Sequence, residues 1–289
     1  MIDEPDLESS VNLKQAAMLL GVHYMTAYRY VRQGRLAAEL VGSQWRIRPS
    51  ALAAFRSRPP TGASGGPEVV ASTEWNSRLE SCMLMADEVA AWQTIELALA
   101  AGHSPAYCYT EMIATALGSI GDRWASGELD VADQYVASAV AMRLIARLGA
   151  RFRRRGRSRG TFVFGAPLGE HHSAPIAIVA DLVRLGGYDV LELGANVPAA
   201  AFASAAERVS RLIAVGIGVS QGEHRAGVQA TADAIRAVDR AVPIVVGGLA
   251  ARELEAAGIV GATAFAESGE AALAILASFA ARREIRRVV

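Results

Sequence analysis

The sequence predicts a multidomain α and α/β chain, in which a small helix-turn-helix unit and a four-helix bundle precede a doubly wound parallel sheet. Three observations predict it. From residue 161 onward, short β-rich runs alternate with amphipathic helical runs, the pattern of a parallel sheet covered on both faces. From 75 to about 149 the apolar spacing is helical throughout. Before that, a stretch rich in Gly and Pro with nothing apolar to pack reads as a flexible linker. The boundaries fall at 1–56 (helix-turn-helix unit), 57–72 (linker), 73–150 (bundle), 151–160 (basic connector) and 161–289 (α/β unit).

The first unit is strongly basic. Between Leu13 and Arg58 stand Lys14, Arg29, Arg32, Arg35, Arg46, Arg48, Arg56 and Arg58, against Glu39 alone. Such a segment suits a polyanionic partner. Leu13–Leu20 reads as a short amphipathic helix, Gly21-Val22 as a turn, and Tyr24–Gln33 as a second helix ending at Gly34. Leu36–Ile47 reads as a hairpin around Val41-Gly42-Ser43, and Pro49–Phe55 as a closing helix. Helix, tight turn, helix is the shape that places its second helix in the major groove of double-stranded DNA. Trp45 is expected to pack under the hairpin or to touch DNA from it.

Composition fits a soluble, cytoplasmic chain. Of the 289 residues 52% are hydrophobic and 20% charged, with a net charge of zero. Apolar runs are short and broken by charge or Gly, so no membrane span is expected. The opening residues, with Asp3, Glu4, Asp6 and Glu8, are too acidic for a signal peptide. Cys82 and Cys108 lack zinc or redox spacing and fit a reducing compartment.

In the bundle, helices are expected over Trp75–Met85, Ala86–Ala100, Pro105–Trp124 and Val131–Leu148, with Ser104 capping the third and Pro105 at its first position. The arginine-rich run Arg151–Arg159 follows as a connector. In the α/β unit the expected strands are Thr161–Gly165, Asp189–Leu193, Leu212–Val219, Val242–Val246 and Ala262–Ala266. The expected helices are Pro175–Leu185, Pro198–Val209, Ala226–Val238, Ala250–Ala257 and Glu270–Ala281. Ligands of such sheets bind past the carboxyl ends of the strands, where strand order switches. Three segments should converge there: Gly169-Glu170-His171-His172-Ser173-Ala174-Pro175 after strand one, Ser220 and Gly222 after strand three, and Gly247-Gly248 after strand four. A carboxylate two residues before a histidine can hold the ring's far N–H, fixing its tautomer and raising its basicity as a metal ligand. Paired glycines let backbone approach a ligand closely. Glu170, His171, His172 and His224 could also hold zinc. No catalytic nucleophile or acid–base pair stands out, so no enzyme is expected.

The segment Glu170 to Pro175 resembles the cobalamin-binding signature of corrinoid proteins. The resemblance implies a flavodoxin-like (Rossmann-like) sheet, with His172 as the cobalt ligand, Glu170 as its partner, and His171, Ser173, Ala174, Ser220, Gly222, Gly247 and Gly248 around the cofactor. That family usually has Gly where Pro175 stands. Leu117–Gly127 with Val131–Tyr135 resembles the helical cap of corrinoid proteins, which implies Trp124, Gln134 and Tyr135 against the upper ligand. Residues 11–56 resemble the winged helix-turn-helix of excisionase and MerR-type proteins, which implies His23, Tyr24, Thr26, Tyr28, Arg29, Arg32 and, on the wing, Arg46 at DNA.

This domain order is similar to that of cobalamin-dependent light-sensing repressors of the CarH type. In them adenosylcobalamin assembles a homo-oligomer that binds an operator, and light dissolves it. Two departures stand in the cap: Gln134-Tyr135 replaces the family's Glu-His, and Ala125 replaces the His that follows the Trp. The expected function is therefore a cobalamin-binding transcriptional regulator, with light as a possible signal. A light-independent corrinoid sensor and a corrinoid carrier subunit of a methyltransferase system are the alternatives, along with a regulator that has lost the cofactor.

Overall fold

The computed structural model describes residues 10–20, 27, 30, 31, 36–41, 44–57, 67–152 and 156–288. The chain divides into two compact units, Met1–Val70 and Ala71–Val289.

In the first unit β1 (Val11–Asn12) leads into α1 (Leu13–Leu20), followed by β2 (Glu39–Val41), β3 (Gln44–Ile47) and α2 (Pro49–Ser57). The strands form an antiparallel sheet in the order β1-β3-β2, with Val11 opposite Ile47 and Leu40 opposite Trp45. Asn12 and Gln15 cap α1 reciprocally: each side-chain oxygen accepts the other's backbone N–H at 2.9 Å. Leu13, Ala16, Ala17, Ala27, Val31, Leu36, Ile47 and Leu52 form the core, and Trp45 packs half-buried against it.

Helices follow. α3 spans Pro67–Leu84 and α4 Glu88–Ala100. α3 starts eight residues earlier than the expected helix at Trp75, inside the expected linker. Pro67 opens it, since a first helical position needs no N–H and suits the fixed φ of proline. The third helix is α5 (Pro105–Tyr107), a π-helical turn over Cys108–Ile113, and α6 (Ala114–Ala125); α7 spans Val131–Phe152. Ser104 caps α5, its Oγ accepting the Tyr107 N–H at 3.1 Å. Leu79, Met83, Trp92, Ile95, Tyr109, Ile120, Val140 and Leu144 belong to a core that continues into Ala174, Ala177, Ile178 and Leu182.

The rest is a doubly wound parallel sheet. Its strands are β4 (Thr161–Gly165), β5 (Asp189–Glu192), β6 (Leu212–Gly218), β7 (Ile244–Gly247) and β8 (Ala264–Ala266), ordered β5-β4-β6-β7-β8 and all parallel. This is the flavodoxin-like order, whose switch point lies between β4 and β6. The helices are α8 (Ala174–Leu185), α9 (Ala199–Arg208), α10 (Arg225–Val238), α11 (Ala251–Ala256) and α12 (Gly269–Val288). Phe202, Val228, Ile235 and Leu254 cover one face of the sheet, while Ile176, Ala180, Val183, Leu276 and Ala280 cover the other. α8 is thus apolar on two sides, one packed on the sheet and the other on the bundle.

Candidate functional site

The loop after β4 is held from three sides. Val197 pairs with Pro167, and the Glu170 N–H closes a turn onto the Pro167 carbonyl at 3.0 Å. Asn196, after β5, sits in the left-handed region with φ 56°. Its N–H donates to the Glu170 carbonyl at 2.7 Å and its Oδ1 accepts the Gly169 N–H at 2.9 Å. From the other side of the switch point, the Ser220 backbone N–H donates to Glu170 Oε2 at 2.6 Å.

Glu170 is the hub. Its side chain is 1% exposed, and Oε1 accepts the His172 backbone N–H at 3.0 Å and faces His172 Nδ1 at 2.5 Å. Burial alone would raise its pKa. The hydrogen bonds from the His172 ring, the His172 backbone and the Ser220 backbone outweigh that and hold the carboxyl down at about 2. The same contact raises the pKa of His172 above 6.5, against the opposing effect of burial. With Nδ1 held by the carboxylate, Nε2 is the ring nitrogen left to bind a ligand, on a side chain that is 46% exposed.

Gly247 ends β7, and Gly248 follows with φ 118°. A Cβ on Gly248 would collide with the Val219 carbonyl. Glycine here lets the loop after β7 close on the loop carrying Ser220, so the three expected segments meet at one edge of the sheet. Ser220 contributes its backbone N–H to Glu170. Gly222 opens a short 3₁₀ turn, Gly222–His224, where a Cβ would collide with the Glu253 carboxylate. His171 is exposed beside the pair. Ser173 caps α8 by position and its Oγ contacts Met142 Sδ of α7 at 3.6 Å, while Ala174 is buried. Pro175 sits in the first turn of α8 without interrupting it.

In the cap, Trp124 near the end of α6 is 41% exposed. Across the turn, Gln134 is half-buried and Tyr135 is 74% exposed in the first turns of α7. Asp130 and Asp133 cap α7 reciprocally at 3.0 Å. Tyr135 precedes Met142 by seven residues, close to two helical turns, so both share a face of α7, about 10 Å apart along its axis. Met142 touches Ser173, and the exposed aromatic therefore stands on the face of α7 that meets the His172 loop. Ala125 ends α6 and offers no ligand atom. His103, in the turn between α4 and α5, stacks on Tyr107 with centroids 4.1 Å apart.

The cap is fastened to α8 by a buried polar link that sequence reasoning missed. The Tyr109 hydroxyl, in the π turn, donates to Asp181 Oδ2 at 2.8 Å. Arg184 Nη1 donates to Asp181 Oδ1 at 2.8 Å and to Glu192 Oε2 at 3.0 Å. A Cβ on Gly149 would collide with the Asp181 carboxylate, so glycine makes the room. Burial and the neighbouring Asp181 charge keep the Tyr109 phenol protonated as the donor. Asn196 was missed as well, although an Asn ahead of Val-Pro and a helix is a residue that tolerates the left-handed region.

No group of three or more His, Cys, Asp or Glu among the described residues is arranged to hold a metal ion, which leaves the zinc alternative without a ligand set. In the first unit Arg46 lies half-buried on β3. His23, Tyr24, Thr26, Tyr28, Arg29 and Arg32 lie outside the described residues.

Residues 160–277 match the family model described as B12 binding domain. The α/β unit is of that kind. Residues 75–148 match a second family model described as B12 binding domain, and residues 11–58 match one described as helix-turn-helix domain. The chain is 29% identical over 126 residues to trimethylamine corrinoid protein 1 of Methanosarcina acetivorans, which covers 43% of this chain and 58% of that one. It thus spans little more than half the length of that curated relative. The monomethylamine corrinoid protein of Methanosarcina barkeri superposes on 72% of this chain and 99% of its own, with a TM-score of 0.60 at 17% identity, a likeness of fold. The residues fit a corrinoid. An imidazole fixed by a buried carboxylate leaves Nε2 for the metal. Leu168 and Leu249, 58% and 86% exposed on the loops after β4 and β7, offer apolar surface to a large ring. This chain therefore joins a corrinoid-binding unit and its cap to an N-terminal helix-turn-helix domain.

Proposed function

We propose that this chain is a DNA-binding transcriptional regulator that takes adenosylcobalamin through His172 and whose homo-oligomeric state and operator binding follow that ligand. The observation that carries the reading is the joining of a helix-turn-helix domain, at 11–58, to the Glu170–His172–Ser220 constellation. If bound, the corrinoid would be held at its cobalt by His172 and would supply a cobalt–carbon bond that light can cleave. The chain's own residues do the rest. Glu170 keeps a proton on His172 Nδ1 and turns the Nε2 lone pair outward. The Ser220 N–H fixes that carboxylate. Trp124 and Tyr135 present flat surfaces to an upper group. A ligand that binds only the assembled form stabilises assembly, and several helix-turn-helix domains in one assembly multiply affinity for repeated half-sites. Ala125 lacks the imidazole that would take an upper position after illumination, so a light response would have to end differently here.

The test is DNA binding to fragments flanking the chain's own gene, with and without adenosylcobalamin, in the dark and after illumination, alongside the absorbance of the desalted protein. Corrinoid retention with corrinoid-dependent DNA binding is expected, and His172→Ala should lose both. A change on illumination would assign light as the signal; dependence on corrinoid without it would assign a corrinoid sensor. A colourless protein, or DNA binding indifferent to corrinoid, would refute the proposal. A second reading, a corrinoid carrier for a methyltransferase, is favoured by the likeness to a trimethylamine corrinoid protein. Failure to bind DNA at every corrinoid concentration would select it.

A further inference from the structure

In a sheet whose strands all run parallel, every strand begins at one edge and ends at the other. Glu170, Ser220 and Gly248 lie past the ends. The opposite edge, the floor, is where strands begin and where α7, α9, α10 and α12 finish. Arginines gather there from four stretches of chain. Arg157 and Arg159 precede β4, Arg208 and Arg211 precede β6, Arg240 precedes β7, and Arg282 and Arg283 follow Phe279 and Ala280 in α12. Contacts tie these stretches together. Arg211 donates through Nη1 to the Ser158 carbonyl at 2.9 Å and through Nη2 to the Arg159 carbonyl at 2.8 Å. Arg159 lies 4.7 Å over the Tyr188 ring, and Tyr188 packs in the same apolar cluster as Phe279, over which Arg282 lies at 5.9 Å.

Helix stability accounts for part of this. Arg208 and Arg236 stand in last turns, where a cation complements the helix dipole. Arg211 spends its guanidinium on backbone carbonyls. That reason does not reach Arg157 or Arg240, which lie in loops and are exposed. Among the described residues no carboxylate pairs with Arg157, Arg208, Arg240 or Arg282. Asp239 nearby is exposed, with its Oδ1 accepting the N–H groups of Ala241 and Val242 at 2.8 and 3.0 Å. Asp189 and Glu207 are exposed at the floor as well, but arginines outnumber the three acids there; at the other edge the exposed Glu223, Glu253 and Glu267 stand with Arg225 and Arg252. The α/β unit as a whole holds more carboxylates than arginines, so the excess of arginine at the floor reflects placement and not composition. A polyanion is drawn to the floor.

We propose that this floor is a second nucleic-acid contact surface, where Arg157, Arg208, Arg240 and Arg282 take phosphates of duplex DNA engaged by the helix-turn-helix domain. It rests on the DNA-binding reading above. Guanidinium suits phosphate oxygens through paired N–H donors. Phosphate contacts add affinity and salt dependence without reading sequence. The surface therefore strengthens binding to specific and unrelated duplexes alike, and it leaves the corrinoid edge free.

The experiment measures DNA affinity against salt by fluorescence anisotropy, using the full chain, a genomic duplex that it retains and an unrelated duplex of equal length. The variants are Arg157→Gln, Arg208→Gln, Arg240→Gln and Arg282→Gln combined, and Arg240→Gln alone, a loop substitution that keeps the proposal testable should the combined variant fail to fold. Each lost phosphate contact is expected to lower the slope of log affinity against log salt by about 0.9, on both duplexes. An unchanged slope in Arg240→Gln and in the folded combined variant would overturn the floor surface while leaving the DNA-binding reading intact. A wild-type chain that binds no duplex would overturn both. Loss of binding to phosphatidylglycerol vesicles with an unchanged DNA slope would assign the floor to a lipid surface and equally overturn the proposal.

Discussion

Replacing Glu170 by Gln tests the centre of the site before any ligand is added. The buried carboxylate accepts from the His172 ring, the His172 backbone and the Ser220 backbone. Gln keeps one oxygen, enough to face His172, and turns an NH2 toward the Ser220 N–H, so one charge-assisted bond is lost and two donors oppose each other. A hydrogen bond to a charged group contributes about 1.5–3 kcal/mol. The depression of the carboxyl from 4.5 to about 2 sets a ceiling of roughly 3 kcal/mol, at about 1.4 kcal/mol per pH unit. We expect Glu170→Gln to lose about 2 kcal/mol at pH 7, read by urea unfolding of the full chain. The pH dependence gives a second check. A carboxyl that titrates lower when folded contributes fully above about pH 4.5, and the contribution disappears as pH falls through about 2. His172 has its pKa raised, so its share is complete below 6.5 and is lost as pH rises through the raised value. The pair therefore stabilises most between these limits, near pH 4.5–6.5. A wild-type advantage under about 0.5 kcal/mol at pH 7, or one that persists undiminished at pH 2, would refute this account of Glu170.

Two further substitutions probe what surrounds the site. Tyr109→Phe removes the donor to a buried Asp181 oxygen and should cost about 1–3 kcal/mol in urea unfolding; a neutral result would mean that Arg184 alone satisfies that carboxylate. Gly248→Ala combines φ 118° with a collision at the Val219 carbonyl, so its melting temperature should fall by the equivalent of at least about 1–3 kcal/mol. Equal stability there would show that the two loops do not need the close approach.

The sheet was legible because each buried strand is a short β-rich run bounded by Gly or Pro and followed by an amphipathic helix. All five strands, β4 to β8, overlap the expected ones and differ by two residues or fewer at any end. The meeting of Glu170, His172 and Ser220 also followed from topology, since residues past adjacent parallel strands have nowhere else to go. The use of Ser220 through its backbone N–H did not, because a donor common to all residues but proline leaves no mark in sequence. The start of α3 at Pro67 was hidden by the Gly and Pro around it. The Tyr109–Asp181 bond joins residues 72 apart, and neither residue is unusual in its own helix. The expected DNA contacts other than Arg46 fall outside the described residues.

The π turn at Cys108–Ile113 has a consequence for how this cap is compared with others. Such a turn amounts to one residue inserted into an α-helix. Residues on its two sides are rotated by about 100° relative to one another compared with an uninterrupted helix, and Tyr109, inside the turn, is the residue that reaches Asp181. Against a cap whose third helix is uninterrupted, an ungapped alignment would match the right residues on one side of the turn and the wrong ones on the other. A one-residue gap inside Cys108–Ile113 would restore the correspondence in that case. Deleting a single residue there would regularise the helix and swing its first turns off α8, so the segment is less tolerant of length change than its helical surroundings suggest.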